Sequence, residues 1–245
     1  MKRLSFLVFA ASCYAVFFAT FLYLIGFVAD VPVLSHTVDT GPSAPVPVAL
    51  IIDIVLIAMF GVQHSVMARQ GFKRAWTRLV PQPLERSVYV LMASAMLILM
   101  FVFWLPIAGD VWNVEGKVGA ALLWALFAIG WLIVLLSTFL INHFELFGLQ
   151  QAWFQARGRM AASPKFRTPF FYKLVRHPLY SGFVIAFWAT PRMTLGHLLL
   201  AAGLSIYMLI AIQYEERDLV ELFGDDYQRY RRTTGMLAPR IGKQG

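Results

Sequence analysis

The sequence predicts an all-α fold, a polytopic transmembrane helical bundle of five to six membrane segments, and three observations carry that reading. Of the 245 residues, 59% are hydrophobic and 14% charged, with mean hydropathy +0.67. A soluble domain carries roughly a quarter charged residues. Several apolar runs are long enough to cross a bilayer, and the basic residues gather in alternate connections between them. No long polar stretch remains to build a soluble second domain. Residues 1–245 therefore read as a single membrane domain, with four transmembrane helices in 1–141 and the rest of the bundle in 142–245.

The first run spans about residues 6–29, after Lys2 and Arg3. It is too long for a signal-peptide core and no small-x-small cleavage site follows, so it is expected to stay as a helix. At about 1.5 Å per residue such a run crosses the ~30 Å hydrocarbon layer. The single cysteine, Cys13, lies inside it and reads as a small packing residue. Residues 30–47 are rich in Pro, Ser and Thr and hold no Lys or Arg. The second run covers about 48–68 and the third about 87–108, joined by a basic segment with Arg69, Lys73, Arg74, Arg78 and Arg86. A short connection with Asp110 and Glu115 leads to the fourth run, about 118–141. Residues 142–177 are polar and carry six Lys or Arg.

Residues 179–213 are apolar but interrupted at Pro191 and Arg192. One helix of that length would be about 50 Å long, too much for one crossing, and proline breaks helices from within. The expectation is a hairpin of two helices, about 179–190 and 194–213, with a short first arm, and then an amphipathic polar tail to Gly245.

Charge sets the orientation. The N-terminus, the 69–86 loop, the 142–177 segment and the tail from 214 together hold 19 of the 21 Lys and Arg; only Lys117 and Arg192 fall on the other side. With six segments that partition is self-consistent, and the rich side is expected to be cytosolic, with both termini on it. The net charge of +8 thus reads as topology and attraction to the lipid bilayer rather than as a nucleic-acid footprint, and no nucleic-acid partner is expected. The sequence fixes no oligomeric state.

This topology puts nearly all the reactive-looking side chains at one depth. Gln63 and His64 end the second helix; Asn142, His143 and Glu145 follow the fourth; Arg176, His177 and Tyr180 open the hairpin, and Glu215 and Glu216 close it. Each alone reads as a solvated helix end, but their number favours a site at the cytosolic leaflet. Pro178 suits the first turn of a helix, and a helix start holding cations suits a carboxylate or a lipid phosphate. Glu215 and Glu216, leaving a membrane helix side by side, need water or a cation. Leu219, Leu222, Phe223, Tyr227 and Tyr230 fall roughly on one stripe, as in a lid or an interfacial helix. Asp53 faces nearly the same way as His64 but about 16 Å away along the helix, so it is a functional intramembrane carboxylate, a protonated one hydrogen-bonded to a neighbouring helix, or a group near the opposite surface, only a few residues into its span.

Arg176-His177-Pro178-Leu179-Tyr180, with Glu215-Glu216 and Phe223-Gly224, Tyr227 and Tyr230 across a broken hydrophobic hairpin, resembles the isoprenylcysteine carboxyl methyltransferase superfamily over about residues 170–235. The resemblance implies a methyltransferase that holds S-adenosylmethionine (SAM) in 142–245, at Arg176, His177, Pro178, Tyr180, Glu215 and Glu216. Upstream, Asn142 to Gln150 (NHFELFGLQ) and Gly61 to Arg69 (GVQHSVMAR) look like the bacterial methanethiol S-methyltransferases, which extends the resemblance over most of the chain. That branch implies a small thiol substrate, dimethyl sulfide as product and a bacterial inner membrane. Methyl transfer to sulfur needs alignment and a thiolate, so His64, His143 and Glu145 are the candidates to line the thiol pocket and activate the sulfur. A His/His/Glu set can also bind a metal, although this spacing matches no recognised motif. The alternatives are a SAM enzyme acting on prenylcysteine, lipid or another thiol, separable by acceptor assays; a non-enzymatic scaffold or transport-related protein, which would bind no SAM; and a membrane reductase, for which no Gly-rich dinucleotide fingerprint is present.

Overall fold

The computed structural model describes residues 2–159 and 166–240. Lys165 and Lys243, counted above among the basic segments, lie outside the described residues, as do the side chains of Lys2 and Arg3. Five helices are long and apolar enough to cross a membrane: α1 (Lys2–Val28), α2 (Val46–Ala68), α4 (Glu85–Phe103), α5 (Lys117–Ile141) and α9 (Leu195–Phe223). Between them lie α3 (Gln70–Trp76), α6 (His143–Leu146), α7 (Leu149–Arg157), the short apolar α8 (Pro178–Trp188) and, after α9, α10 (Asp225–Thr233). The expected all-α membrane bundle is what forms, and every run starts within a few residues of its helix.

Three departures have local causes. The third run was expected to reach residue 108, but α4 stops at Phe103; Pro106 follows, and Trp104 is already extended. The hairpin forms, but its second arm does not end near 213. α9 runs on as one helix of 29 residues to Phe223, because nothing breaks it before Gly224, whose φ of 55° turns the chain. Glu215 and Glu216 thus stand on a helix face rather than in a separate tail. Finally, β1 (Asp110–Asn113) and β2 (Arg192–Thr194) pair as a two-stranded ribbon at the hairpin's bend. The first arm, α8, has 11 residues and is about 16 Å long, roughly half a crossing.

The chain forms two compact units. The first comprises residues 1–112, 142–162 and 193–203. Its helix α4 packs against both α1 and α2, Phe27 of α1 meets Phe101 and Trp104 at the end of α4, and Tyr23 and Trp104 bind the carbonyls of His36 and Val38 at 2.8 and 3.1 Å and so pin the 29–45 connection. Asp53 is fully buried and accepts the Leu105 N–H at 3.0 Å, just past the end of α4. That places it near the start of α2, at the end away from His64, as the third alternative has it. Cys13 is buried in packing, as expected.

The second unit comprises residues 113–141, 163–192 and 204–245. Here α5 and α8 touch backbone to backbone: a Cβ added at Gly182 would lie 2.7 Å from the Gly130 carbonyl oxygen. Trp131 and Phe183 pack edge to face beside this crossing, and the Trp188 indole N–H donates to Ser205 Oγ at 3.1 Å. Large exposed side chains such as Leu122, Leu132 and Phe139 stud the outer face of α5, as lipid contact requires.

Candidate functional site

Two clusters, one in each unit, hold most of the residues singled out above. In the second unit, Pro178 occupies the first turn of α8 and His177 caps it. The chain after α10 returns beside this start as a strap. Val175 pairs with Gly235, the Arg176 N–H donates to the Gly235 carbonyl at 2.8 Å, and the His177 N–H donates to the Met236 carbonyl at 3.1 Å. Ser181 Oγ donates to the Leu237 carbonyl at 2.7 Å.

Charged side chains converge under the strap. Glu216 is 5% exposed and both its oxygens are engaged. Oε1 accepts from Arg176 Nε at 2.7 Å and lies 3.1 Å from His177 Nε2, and Oε2 lies 3.2 Å from Arg231 Nε. Arg176 also donates to the carbonyls of Arg231 and Thr234. A buried carboxylate is tolerable only with such full pairing. Glu215, one position along, keeps 45% of its side chain exposed, with its carboxylate 3.8 Å from His177 Nδ1. The Tyr180 ring lies 5.8 Å from the His177 ring.

Three tyrosines complete this cluster. Tyr230 donates to the Tyr172 carbonyl at 2.5 Å. Burial pushes the Tyr230 phenol up to about 12, with Arg176 opposing and Glu216 adding. Burial, helped by Glu215, raises Tyr172, and burial with Glu216 raises Tyr227. All three therefore stay protonated donors near neutral pH. Tyr227 is 2% exposed, and its hydroxyl finds no partner among the described residues. An open groove of about 370 Å³ lies beside Arg231, lined by Val220, Gln228, Arg231 and Arg232. The set suits a zwitterionic ligand, with guanidiniums for a carboxylate, the exposed Glu215 for an ammonium and an unmatched buried phenol as a further donor.

In the first unit, His64 Nε2 and the Tyr89 hydroxyl are 2.7 Å apart, and Phe60 stacks on the imidazole with centroids 5.3 Å apart. His143 Nε2 and the Tyr14 hydroxyl are 2.8 Å apart. His143 is buried, which lowers its pKa, so it is neutral at pH 7. Both tyrosines belong to one apolar cluster: Met67, Tyr89, Val90 and Phe147, with Tyr14, Phe17, Phe72 and Trp76 packed on it. The fold thus brings the two predicted histidines to one place. Glu145 is not part of that cluster. It is exposed, and Asn142 Nδ2 donates to its carboxylate at 2.8 Å while Asn142 Oδ1 accepts the Glu145 N–H, a reciprocal helix cap. Among the described residues no three His, Cys, Asp or Glu side chains gather as a metal site.

Sequence reasoning missed Tyr14, Tyr89, Tyr172, Arg231 and the strap. The sole available signal was a tyrosine within each of two apolar runs, where a polar tip needs a partner.

No protein-family model matches the chain, and no solved structure matches it. Curated relatives do. The methanethiol S-methyltransferase of Mycobacterium tuberculosis is 51% identical over 239 residues, 98% of each chain. The enzyme of the same name from Crocosphaera subtropica is 47% identical over 244 residues, 100% of this chain and 95% of its own. A Nurim homolog of Drosophila pseudoobscura pseudoobscura is 28% identical over 176 residues, 69% of this chain and 70% of its own. With about half its residues shared along nearly the full length of those enzymes, this chain belongs to the methanethiol S-methyltransferase family.

Proposed function

We propose that the protein transfers a methyl group from SAM to methanethiol at the cytosolic leaflet and releases dimethyl sulfide. The observation that carries this reading is the full-length identity with methanethiol S-methyltransferases. A methyltransferase needs a methyl donor, and the charge set around Arg176 supports SAM in that role. SAM supplies a methyl group activated on a sulfonium.

The residues divide the work. Arg231 and Arg232 border the groove and would take the carboxylate end of the donor. Glu215 is exposed and would take a cation. Glu216 is saturated by Arg176, His177 and Arg231, so it holds the cations in place rather than meeting the ligand itself. Pro178 and Tyr180 set the start of α8 on which Arg176 and His177 are mounted. His64 and His143 sit in apolar surroundings suited to a one-carbon thiol. Neutral His143 is the base that draws off the thiol proton. Glu145 acts through the cap that orients His143 at the start of α6.

The acceptor itself offers little to hold. Ligand efficiency limits a two-heavy-atom molecule to about 3 kcal/mol, so millimolar affinity or weaker is expected. Selectivity then comes from excluding larger thiols. The test uses purified protein in detergent with SAM and methanethiol, with dimethyl sulfide measured in the headspace. Turnover with methanethiol well above that with longer thiols or prenylcysteine supports the proposal. No dimethyl sulfide, or a preference for prenylcysteine, overturns it.

A further inference from the structure

We propose that the Tyr14 hydroxyl is a catalytic proton relay, taking the proton of the acceptor thiol while passing its own to His143. This inference rests on the methanethiol reading and adds to it a residue on α1, far from every motif the sequence offered.

The first observation is the pairing itself. Tyr14 Oη and His143 Nε2 are 2.8 Å apart across 129 residues. Their rings meet edge to face with centroids at 5.7 Å, and Phe147 holds the imidazole from another side at 4.8 Å. The pair is therefore fixed by packing as well as by its hydrogen bond. The second observation is the difference in access. His143 is 6% exposed, whereas Tyr14 is only partly buried. As a residue, the phenol is the less buried partner of the pair. The third is chemical. A neutral imidazole can accept a proton, and a phenol that donates to it keeps lone pairs to receive another. The surroundings, Phe17, Phe18 and Phe147, are apolar and fit a methyl thiol.

The step balances. The S–H bond of methanethiol breaks as an O–H bond forms on Tyr14 Oη. The original Tyr14 O–H bond breaks as N–H forms on His143 Nε2. The products are methanethiolate and imidazolium, with the phenol restored. The thiolate's electron pair then forms the new carbon–sulfur bond to the SAM methyl as the methyl–sulfonium bond breaks, its electrons staying on the sulfur of the departing S-adenosylhomocysteine, and the imidazolium later gives its proton to water. The titratable groups on neighbouring elements are Glu145 in α6, Glu85, Arg86 and Tyr89 in α4, Arg157 in α7 and His64 in α2. The His64–Tyr89 pair differs, because the Tyr89 hydroxyl also lies 3.4 Å from the His64 carbonyl and Tyr89 is 8% exposed. That tyrosine is locked and holds His64 in place.

Tyr14→Phe keeps the ring and removes only the relay. At pH 7 its kcat with methanethiol is expected to fall on the order of 10²-fold, the usual share of acid–base catalysis. SAM affinity, read by calorimetry, is expected to stay within about twofold, since nothing in the donor cluster is touched. The residual rate should climb about tenfold per pH unit as solution thiolate accumulates, while the wild type stays nearly flat. Methaneselenol, of similar size but ionised near neutral pH, needs no relay and should restore the variant to within a few-fold of wild type. His143→Gln, which still accepts the Tyr14 bond but cannot keep a proton, should show the same pH climb and the same rescue, and it stands in if Tyr14→Phe does not fold. Wild-type kcat and pH profile in either variant overturns the relay. A wild type that makes no dimethyl sulfide overturns instead the methanethiol reading on which the relay rests.

Discussion

The crossing of α5 and α8 makes the sharpest stability prediction. Gly130 and Gly182 let the two helices touch along bare backbone. A Cβ built at Gly182 lies 2.7 Å from the Gly130 carbonyl oxygen and 2.9 Å from the Val134 amide nitrogen; one at Gly130 lies 2.7 Å from the Ala186 amide nitrogen. These neighbours are backbone atoms of packed helices and cannot turn aside. Ordinary contact begins near 3.4 Å, so Gly182→Ala must part the helices by roughly 0.7 Å. A gap of that size forfeits about a quarter to a half of each dispersion contact across the interface. Overpacking of this kind costs about 1–3 kcal/mol. Gly71→Ala is the internal control: it lies in α3, a Cβ there meets nothing within 4 Å, and it should gain up to about 1 kcal/mol from helix propensity. The double variant at 130 and 182 should cost less than the sum, because the first opening relieves the second. Thermal unfolding in detergent reads all four variants against the wild type. Because α8 carries Arg176 and His177 at its start, calorimetry on Gly182→Ala should also show weakened SAM binding. Melting at the wild-type temperature for Gly130→Ala and Gly182→Ala alike would refute the backbone-contact argument.

Other expectations follow from the two clusters. Glu216→Gln removes the charge that binds Arg176, His177 and Arg231 together; leaving the two guanidiniums without their buried partner should cost about 3 kcal/mol in stability and at least tenfold in SAM affinity, and unchanged binding would separate this cluster from the donor. Burial lowers the His143 pKa, so the unfolded chain binds the proton first as the pH drops; stability should be full above about 6.5 and decline below it. The melting difference between pH 7.5 and 5.5 should shrink in His143→Gln, and an undiminished difference would assign the effect to other groups. Reporter fusions at residue 40 and at the C-terminus should report opposite sides of the membrane, and one shared side would overturn the cytosolic orientation.

What the sequence determined by itself was the membrane class, the spans and the residue set at their ends. Hydropathy and charge are local, and a bilayer reads them one segment at a time, so α1, α2, α4, α5 and the hairpin were legible without any packing information. The limits of those spans were less so. Pro106 stopped α4 early, and the absence of any breaker before Gly224 carried α9 past the apolar run into Glu215 and Glu216. The chemistry of the ends was decided by tertiary structure. Glu145 looked like a partner of the histidines but is a helix cap, because Asn142 three residues earlier offers it the nearer bond. Glu215 and Glu216 looked equivalent, yet a rotation of about 100° along one helix leaves the first exposed and buries the second among two guanidiniums and an imidazole. Tyr14 and Tyr89 were polar tips in apolar helices, and Arg231 was one of several basic residues in a tail. Their partners lie 129, 25 and 15 residues away, and only folding brings them to within about 3 Å, where a hydrogen bond exists at all.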